Sequence, residues 1–211
     1  ERKINRTKIN PNVVFVIGQP RTGTTHVHNL LSQDTETFTF ASTFDVGFPS
    51  SFLWTGGWLP RLLKGMISET RPMDNMKLSF DLPQEDELAT NMLSGGVSPY
   101  MAIAFLKRSV WEKLLPLWTL ELESGCGKDQ KEKWKESFLY FCRKLQLRAG
   151  PNKRLLLKSP VHTARVSLLL EIFPNAKFVM CHRNPYAIFT SSVNMAQKYY
   201  SYSALCFPSS E

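Results

Sequence analysis

A fully apolar strand followed at once by a glycine-bounded polar turn constrains this fold more than any other feature of the sequence. Residues 13–17 read Val-Val-Phe-Val-Ile, and residues 18–25 read Gly-Gln-Pro-Arg-Thr-Gly-Thr-Thr. A β-branched and aromatic run without alternation is typical of a strand covered on both faces, as in a parallel sheet. Residues 26–31 contain no helix breaker and predict a helix. Strand, tight turn and helix in this order open an α/β fold.

The last third of the chain returns to this alternation of strands and helices. Residues 154–157 and 177–180 are short apolar runs that predict strands, and residues 164–173 and 185–197 predict the helices that follow them. Before them, residues 129–147 predict a long amphipathic helix. The apolar face of that helix comprises Trp134, Phe138, Phe141, Cys142 and Leu145. The pattern predicts an α/β fold with a central parallel sheet flanked by helices.

Composition excludes several classes of protein. The chain has 211 residues, 43% of them hydrophobic, which excludes a disordered protein and is sufficient for a core without metal or disulfide staples. A net charge of +8 indicates an anionic partner, but the basic residues are dispersed and match no nucleic-acid reading motif, so we expect no nucleic-acid partner. The longest uncharged stretch, residues 88–106, is broken by glycines and a proline and predicts no transmembrane segment. Four cysteines without a C-x-x-C pair predict neither a zinc site nor a disulfide framework.

The turn after the first strand has the glycine spacing of a phosphate-binding loop. In such loops backbone N–H groups and the N-terminus of the next helix hold an anion, and Gly23 allows the backbone to turn those groups inward. Thr24 stands where these loops carry a lysine for the β and γ phosphates of a nucleoside triphosphate, and Arg21 is the cation of the loop. We therefore predict an anion site on a P-loop-type three-layer fold. A degenerate P-loop kinase or NTPase is one alternative.

Residues 19–25 resemble the 5′-phosphosulfate-binding loop of sulfotransferases that use 3′-phosphoadenosine 5′-phosphosulfate (PAPS). The segment Cys181-His-Arg-Asn-Pro185, with Ser191, resembles the family's 3′-phosphate site, in which an Arg at a strand end and a Ser eight residues later hold the phosphate. Residues 83–87 and 157–162 are similar to those of a broad sulfotransferase branch, and the resemblance covers residues 13–195. It implies these donor-binding residues: Pro20, Arg21, Thr22, Gly23, Thr24, Thr25, Arg183 and Ser191.

The resemblance implies in-line transfer of a sulfuryl group from PAPS to an acceptor hydroxyl or amine, with release of 3′,5′-ADP. The donor has no γ-phosphate, and no metal is expected. Donors close to the leaving phosphate stabilise its developing charge. We assign that task to Arg21, Thr24, Thr25 and Lys158. The acceptor is expected to be a small molecule or a glycan, and the sequence indicates no oligomeric state.

Transfer to a hydroxyl also needs a general base. We rank Asp45 first, because it lies 24 residues after Arg21 and related sequences carry a carboxylate near that place. Glu85 of the Pro-Gln-Glu-Asp-Glu run ranks second, and His162, four residues after Lys158, ranks third. A catalytically inactive nucleotide-binding relative without a base is the second alternative. His28, on the helix after the turn, is interpreted as a packing residue or as a residue that supports the site through a neighbour.

Residues 1–211 are expected to form a single sulfotransferase-like domain in which residues 1–12 are a lead-in segment. Members of the family usually continue beyond the equivalent of residue 211, so we expect a truncated C-terminus. The resemblance implies a cytoplasmic location for a bacterial protein, and the Golgi lumen for a eukaryotic protein that has lost an N-terminal anchor. Five aromatic residues among glycines and prolines predict a covering loop: Phe44, Phe48, Phe52, Trp54 and Trp58.

Overall fold

The computed structural model of the protein describes residues 1–68, 70, 76–105 and 107–203, without the side chains of Ile103 and residues 199–203. The strands are β1 (Val14–Ile17), β2 (Phe38–Phe40), β3 (Arg154–Lys158) and β4 (Lys177–Met180). The helices are α1 (Arg2–Asn5), α2 (Thr24–Leu31), α3 (Thr43–Gly47), α4 (Phe52–Thr55), α5 (Leu59–Leu62), α6 (Asp86–Leu93), α7 (Met101–Ala104), α8 (Arg108–Leu114), α9 (Lys128–Ala149), α10 (Val166–Ile172) and α11 (Pro185–Ser203). Short 3-10 helices cover Lys64–Met66, Leu115–Leu117, Leu122–Ser124 and Pro160–Ala164.

The four described strands form a parallel sheet in the order β2-β3-β1-β4. Val14 of β1 lies opposite Leu156 of β3 on one side and Lys177 of β4 on the other. The predicted strands at residues 13–17, 154–157 and 177–180 are thereby confirmed to within a residue. Strand β2 was not predicted, because three residues are too few to show a periodicity.

Helices cover both faces of the sheet. Phe15, Leu155 and Leu157 point into a large core shared with α9 and α10. Their neighbours Val14, Val16 and Leu156 point to the opposite face, where α2 contributes partly buried Val27 and Leu31. All four residues of β1 are buried, which is the reason for its unbroken apolar sequence. The structure confirms the predicted three-layer α/β fold with a central parallel sheet.

The long helix α9 supports one side of the molecule. Its predicted apolar face is confirmed, since all five of its members are buried: Trp134, Phe138, Phe141, Cys142 and Leu145. The helix ends at Gly150, whose φ of 86° is unfavourable for residues with a side chain. Among the helices described, none is both long and apolar enough to cross a bilayer.

The aromatic segment at residues 44–58 forms a series of short helices, and the prediction of a covering loop is therefore wrong in its secondary structure. Phe44 and Phe52 are buried in the main core, where the ring of Phe52 meets Phe141 of α9 edge-on at 5.8 Å. Trp54 and Trp58, by contrast, are exposed. The segment is thus fixed to the core on one side and presents aromatic side chains to solvent on the other.

The strand order decides which loops meet. In a parallel sheet all carboxyl ends lie at one edge, and ligand sites form there. Since β1 lies between β3 and β4, the loop after β1 has the end of β3 on one side and the end of β4 on the other. The glycine turn follows β1, Lys158 is the last residue of β3, and Arg183 comes shortly after β4. The topology therefore brings these three features together at one edge of the sheet.

Candidate active site

The turn between β1 and α2 has backbone conformations typical of an anion-binding loop. The φ angles of Gly18, Arg21 and Gly23 are 144°, 71° and 97°. Thr22 closes the turn, because its N–H donates to the carbonyl of Gln19 at 3.2 Å and its hydroxyl donates to the same oxygen at 2.7 Å. Gly23 is the N-cap of α2 and provides no capping side chain. The first N–H groups of α2 therefore suit a bound anion.

Gly18 allows the loops after β1 and β4 to approach closely. A Cβ atom at this position would lie 2.6 Å from the carbonyl oxygen of Cys181. No side chain fits that space, and a φ of 144° adds strain for any residue but glycine. This contact brings the segment after β4 against the glycine turn.

Arg183 and Ser191 both reach the turn, as the spacing of the two motifs predicts. Arg183 Nη1 donates to the carbonyl oxygen of Arg21 at 3.2 Å. The side chain of Arg21 in turn donates from Nε to Ser191 Oγ of α11 at 3.0 Å. The structure thus joins the two proposed halves of the nucleotide site, whereas the binding role of each residue stays a prediction.

Three consecutive carboxylates at the start of α6 each pair with a different basic residue at or after the end of β3. The pairs are Glu85 with Lys158 (2.7 Å), Asp86 with His162 (2.6 Å) and Glu87 with Arg165 (2.9 Å). We call these three pairs the acid–base ladder. Acidic residues are also favoured at a helix N-terminus by the helix dipole. The ladder explains why the segments 83–87 and 157–162 belong together in this sequence.

The first pair of the ladder differs from the others in its exposure. Asp86 and His162, and likewise Glu87 and Arg165, are completely buried. Glu85 keeps 19% of its side chain accessible, while Lys158 beside it is only 1% exposed. Glu85 is therefore the ladder carboxylate that solvent or a ligand can reach.

Glu85 lies in a polar cluster that extends to the glycine turn. Lys158 Nζ donates to Glu85 Oε1 at 2.7 Å and to Thr25 Oγ1 at 3.4 Å. The hydroxyl of Tyr100 donates to Glu85 Oε2 and lies 3.0 Å from Ser159 Oγ. Burial, followed by the negative charge of Glu85, raises the pKa of Tyr100 well above its ordinary value, and the phenol stays protonated. Lys158 thus connects a reachable carboxylate with the anion loop.

Sequence reasoning missed Tyr100. It lies in an irregular segment before α7, and nothing in its surrounding sequence marks it. Ser159 follows Lys158 in the motif at residues 157–162, which was noted as a whole. The contact between Tyr100 and Ser159 depends on tertiary structure alone.

Asp45, ranked first as general base, has structural partners for both oxygens. Oδ2 accepts the backbone N–H of Ser42 at 2.8 Å, as part of the capping box of α3. Oδ1 accepts from Arg148 Nη1 at 2.6 Å, and the side chain is only 2% exposed. Asp45 therefore caps a helix and pairs with α9, and its side chain is less exposed than that of Glu85. Because a proton acceptor must be reached by the substrate, this geometry favours Glu85, and the identity of the general base stays a prediction.

His162, ranked third, is also enclosed. Its ring lies edge-on to Phe15 at 5.4 Å and to Phe138 at 5.8 Å, and Nε2 lies 2.6 Å from Asp86. Asp86 also accepts the backbone N–H of Lys158 at 3.0 Å. Burial favours the neutral acid, but the charge of His162 and its hydrogen bond outweigh burial and lower the pKa of Asp86. This pair therefore fixes the end of β3. Because Asp86 directly follows Glu85, the pair lies next to the polar cluster around Glu85.

The third pair of the ladder anchors it in the core. Glu87 Oε2 accepts from Trp134 Nε1 of α9 at 3.1 Å as well as from Arg165. Arg165 also donates to the carbonyls of Leu117 and Trp118, and its guanidinium lies 4.6 Å from the ring of Trp134. Buried charges are tolerated when they are paired and hydrogen-bonded in this way.

A cleft of ≈ 920 Å³ is lined in part by residues 77–81, which precede the Pro83–Glu87 run in the sequence. Its walls come from α5 with its flanking residues and from residues 77–81. A small pocket lined by Thr25 and Gln84 shares Lys77 and Leu78 with the cleft. The two cavities thus share part of one wall, and the smaller one reaches Thr25 of α2. Among the described residues, no group of three or more His, Cys, Asp or Glu side chains is placed to hold a metal ion.

Comparisons with known proteins agree with this geometry. The sequence profile described as "Sulfotransferase family" matches residues 11–206. Proteins named omega-hydroxy-beta-dihydromenaquinone-9 sulfotransferase Stf3, from Mycobacterium bovis and Mycobacterium tuberculosis, are each 35% identical over 200 residues, which are 94% of this chain and 49% of theirs. The chain spans about half the length of the curated relatives it matches.

Two solved structures share the fold. Sulfotransferase STF1 from Mycobacterium tuberculosis H37Rv has a TM-score of 0.71 at 19% identity, covering 94% of this chain and 52% of that one. Sulfotransferase STF9 from Mycobacterium avium has a TM-score of 0.60 at 20% identity, covering 95% of this chain and 50% of that one. The predicted resemblance to sulfotransferases is confirmed.

Proposed function

Because the chain belongs to the sulfotransferase family, we propose that it transfers a sulfuryl group from PAPS to an acceptor hydroxyl, with Glu85 as general base. One observation carries the proposal: Lys158 contacts the reachable carboxylate of Glu85 at 2.7 Å and the loop hydroxyl of Thr25 at 3.4 Å. A proton acceptor and an anion site are thereby adjacent, which is what transfer to a hydroxyl requires. The donor supplies the sulfuryl group on a mixed anhydride with phosphate.

The residues present fit a doubly phosphorylated adenosine. The uncapped N-terminus of α2 suits the 5′ side, together with the loop residues Pro20, Arg21, Thr22, Gly23, Thr24 and Thr25. Arg183 and Ser191 each form a hydrogen bond with Arg21. The guanidinium of Arg183 and the hydroxyl of Ser191 suit the 3′-phosphate. We propose that these groups bind the donor and retain 3′,5′-ADP until its release, without a metal ion.

Glu85 takes the hydroxyl proton as the acceptor oxygen bonds to sulfur and the bond from sulfur to the phosphate oxygen breaks. Tyr100 holds Glu85 Oε2 through its hydrogen bond and orients the carboxylate. Lys158, Arg21 and the threonines of the loop stabilise the charge that develops on the leaving phosphate. The in-line geometry of such a transfer requires the base and the leaving group on opposite sides of sulfur, and Lys158 lies between Glu85 and the loop.

We propose a small molecule as the acceptor. The names of the two Stf3 relatives describe a substrate with an omega-hydroxyl on a dihydromenaquinone. The ≈ 920 Å³ cleft includes the apolar side chains of Pro60, Ile67, Leu78 and Phe80, next to Arg61 and Lys64. An acceptor that presents a hydroxyl at the end of an apolar body fits these walls. A glycan acceptor and the cellular compartment stay predictions from the sequence, which indicates no oligomeric state.

Nucleotide selectivity tests the donor assignment. Calorimetric titration with 3′,5′-ADP, 5′-AMP and ATP with Mg²⁺ should show the tightest binding for 3′,5′-ADP, because only this ligand has a phosphate for Arg183 and Ser191. Preferential binding of ATP with Mg²⁺ would overturn the donor assignment and favour the P-loop kinase alternative. Binding of 3′,5′-ADP without turnover of any hydroxyl acceptor would favour an inactive relative.

A further inference from the structure

Four large apolar side chains protrude from the segment that joins α4, α5 and the 3-10 helix Lys64–Met66. The exposed fractions are 87% for Trp54, 57% for Trp58, 72% for Leu62 and 82% for Met66. We call these four residues the apolar ridge. They lie at every fourth position of the sequence, on α4, just before α5, on α5 and on the 3-10 helix. Exposed apolar residues that cluster in this way mark an interaction surface.

The charged side chains within the segment that carries the apolar ridge have one sign, and Asp81 lines the cleft that Arg61 and Lys64 also line. Residues 46–68 contain two charged side chains, Arg61 and Lys64, and both are exposed. No Asp or Glu lies in this part of the sequence. The chain as a whole carries a net charge of +8. The ridge therefore complements a partner that is both apolar and anionic.

The segment is attached to the main core at its start, and partly buried Leu53 and Leu59 pack against the same core. Phe52 is 2% exposed and packs on Phe141 of α9. Lys144 of α9 donates to the carbonyl of Pro49, and to the carbonyl of Ser50 at 2.9 Å. The segment thus rests on the main core, and the ridge side chains point away from it.

We propose that the apolar ridge docks the protein on the surface of an anionic lipid bilayer. Tryptophan is favoured at the boundary between headgroups and acyl chains, Leu62 and Met66 enter the apolar region, and Arg61 and Lys64 meet the lipid phosphates. A second copy of this chain is disfavoured as the partner because it carries the same positive charge as the segment. The same segment forms one wall of the ≈ 920 Å³ cleft, so docking places the mouth of the cleft near the lipid. The inference goes beyond the proposed reaction and does not depend on it.

Co-sedimentation of the full chain with vesicles tests the inference. The protein should sediment with vesicles of equal parts phosphatidylcholine and phosphatidylglycerol, and more weakly with phosphatidylcholine alone. The double variant Trp54→Ala/Trp58→Ala should lose at least about tenfold in apparent affinity, because it removes the interfacial aromatic rings. Arg61→Gln/Lys64→Gln should lose about fivefold per residue, only on the anionic vesicles.

Matched control variants separate docking from general effects. Leu170→Ala removes an apolar side chain that is 40% exposed on α10, where Glu171 pairs with Lys135 in the first half of α9. Lys128→Gln/Lys177→Gln removes the same charge as the Arg61 and Lys64 variant from exposed positions outside the ridge. Both controls should bind vesicles like the unchanged protein. All variants should keep its thermal unfolding midpoint and its affinity for 3′,5′-ADP.

Two results would overturn the inference. One is a full chain that does not sediment with anionic vesicles, or ridge variants that sediment as well as the unchanged protein. The other is a dimer in lipid-free sedimentation velocity that the Trp54→Ala/Trp58→Ala variant abolishes, since the ridge would then contact a second copy. Loss of vesicle binding with intact 3′,5′-ADP binding leaves the donor assignment untouched, so the two proposals fail separately.

Discussion

His28 of α2 is fully buried and packs edge-on against Phe40 of β2, with ring centroids 6.3 Å apart. Burial, assisted by the positive charge of Lys158, lowers the pKa of His28 from 6.5 to about 3. The imidazole is neutral in the folded protein at neutral pH and acts as a packing residue, as predicted. It also makes the stability of the protein depend on pH.

The sign of this dependence follows from the two pKa values. Above pH 6.5 His28 is neutral in both states, whereas between pH 6.5 and about 3 only the unfolded chain takes up the proton. The free energy of unfolding should therefore fall by up to about 1.4 kcal/mol for each pH unit in that window. Urea unfolding between pH 7 and pH 5 measures this loss of free energy. The matched variant His28→Gln has no titrating imidazole at this position and should lose less stability over the same range. If both proteins lose stability equally, His28 is not the buried titrating group.

Glu85 shows how neighbours decide the role of a carboxylate. Asp45, Asp86, Glu87 and Glu85 are all paired with a basic side chain, yet among these four only Glu85 combines a side chain that is 19% exposed with a contact, through Lys158, to Thr25 of the glycine turn. The ranking from sequence placed Asp45 first because only distance along the chain was visible. Its partner Arg148 lies 103 positions away, which no local pattern reveals.

At the scale of elements, the order β3-β1-β4 brings three strand ends together. Arg183 follows β4 and contacts the turn after β1. Arg183→Ala should weaken binding of 3′,5′-ADP by about 10-fold to 100-fold, since a charge-assisted phosphate contact is lost, and leave 5′-AMP affinity unchanged. Lys177→Ala, at the opposite end of the same strand, is the control. An equal loss for both nucleotides in Arg183→Ala would remove the 3′-phosphate role.

The acid–base ladder links α6 to the end of β3, and its inner pair is structural. Arg165→Met leaves Glu87 buried without its cation and should lower the free energy of unfolding by about 3–5 kcal/mol. The exposed pair of Glu171 with Lys135 is the control. Glu171→Gln should change the free energy of unfolding by about 1 kcal/mol or less. Urea denaturation measures both variants. A near-neutral Arg165→Met would show that the ladder does not stabilise the fold.

Short sequence patterns predicted the elements whose conformation depends mainly on residues close to one another in the sequence. The unbroken apolar run of β1, the five buried positions of α9 and the glycine turn are patterns within a few residues, and the structure confirms the corresponding elements. Strand β2 and the short helices of the aromatic segment were missed, because their conformations depend on neighbours distant in sequence. Arg183 and Ser191 were placed correctly beside the turn, since a parallel sheet brings its strand ends to one edge.

At the scale of the whole molecule, the glycine turn is contacted from two sides by segments distant from it in the sequence. The glycine turn forms the centre, the segment after β4 covers one side, and the ladder with Tyr100 covers the other. The large cleft and the apolar ridge share one segment that is fastened to α9 through Phe52 and Lys144. The proposed donor site, the proposed proton acceptor, the cleft and the ridge thus lie on connected elements. That residues 1–211 form a single domain stays a prediction.

The most direct test of this account is single-turnover sulfuryl transfer by Glu85→Gln, measured together with its affinity for 3′,5′-ADP. The amide keeps the shape of the side chain but does not accept the proton. We predict a transfer rate about 10²-fold to 10⁴-fold lower with unchanged nucleotide affinity, whereas Asp45→Asn should lower thermal stability and keep the rate. Transfer at the unchanged rate in Glu85→Gln, or its loss in a fully folded Asp45→Asn, would contradict the assignment of Glu85 as the general base.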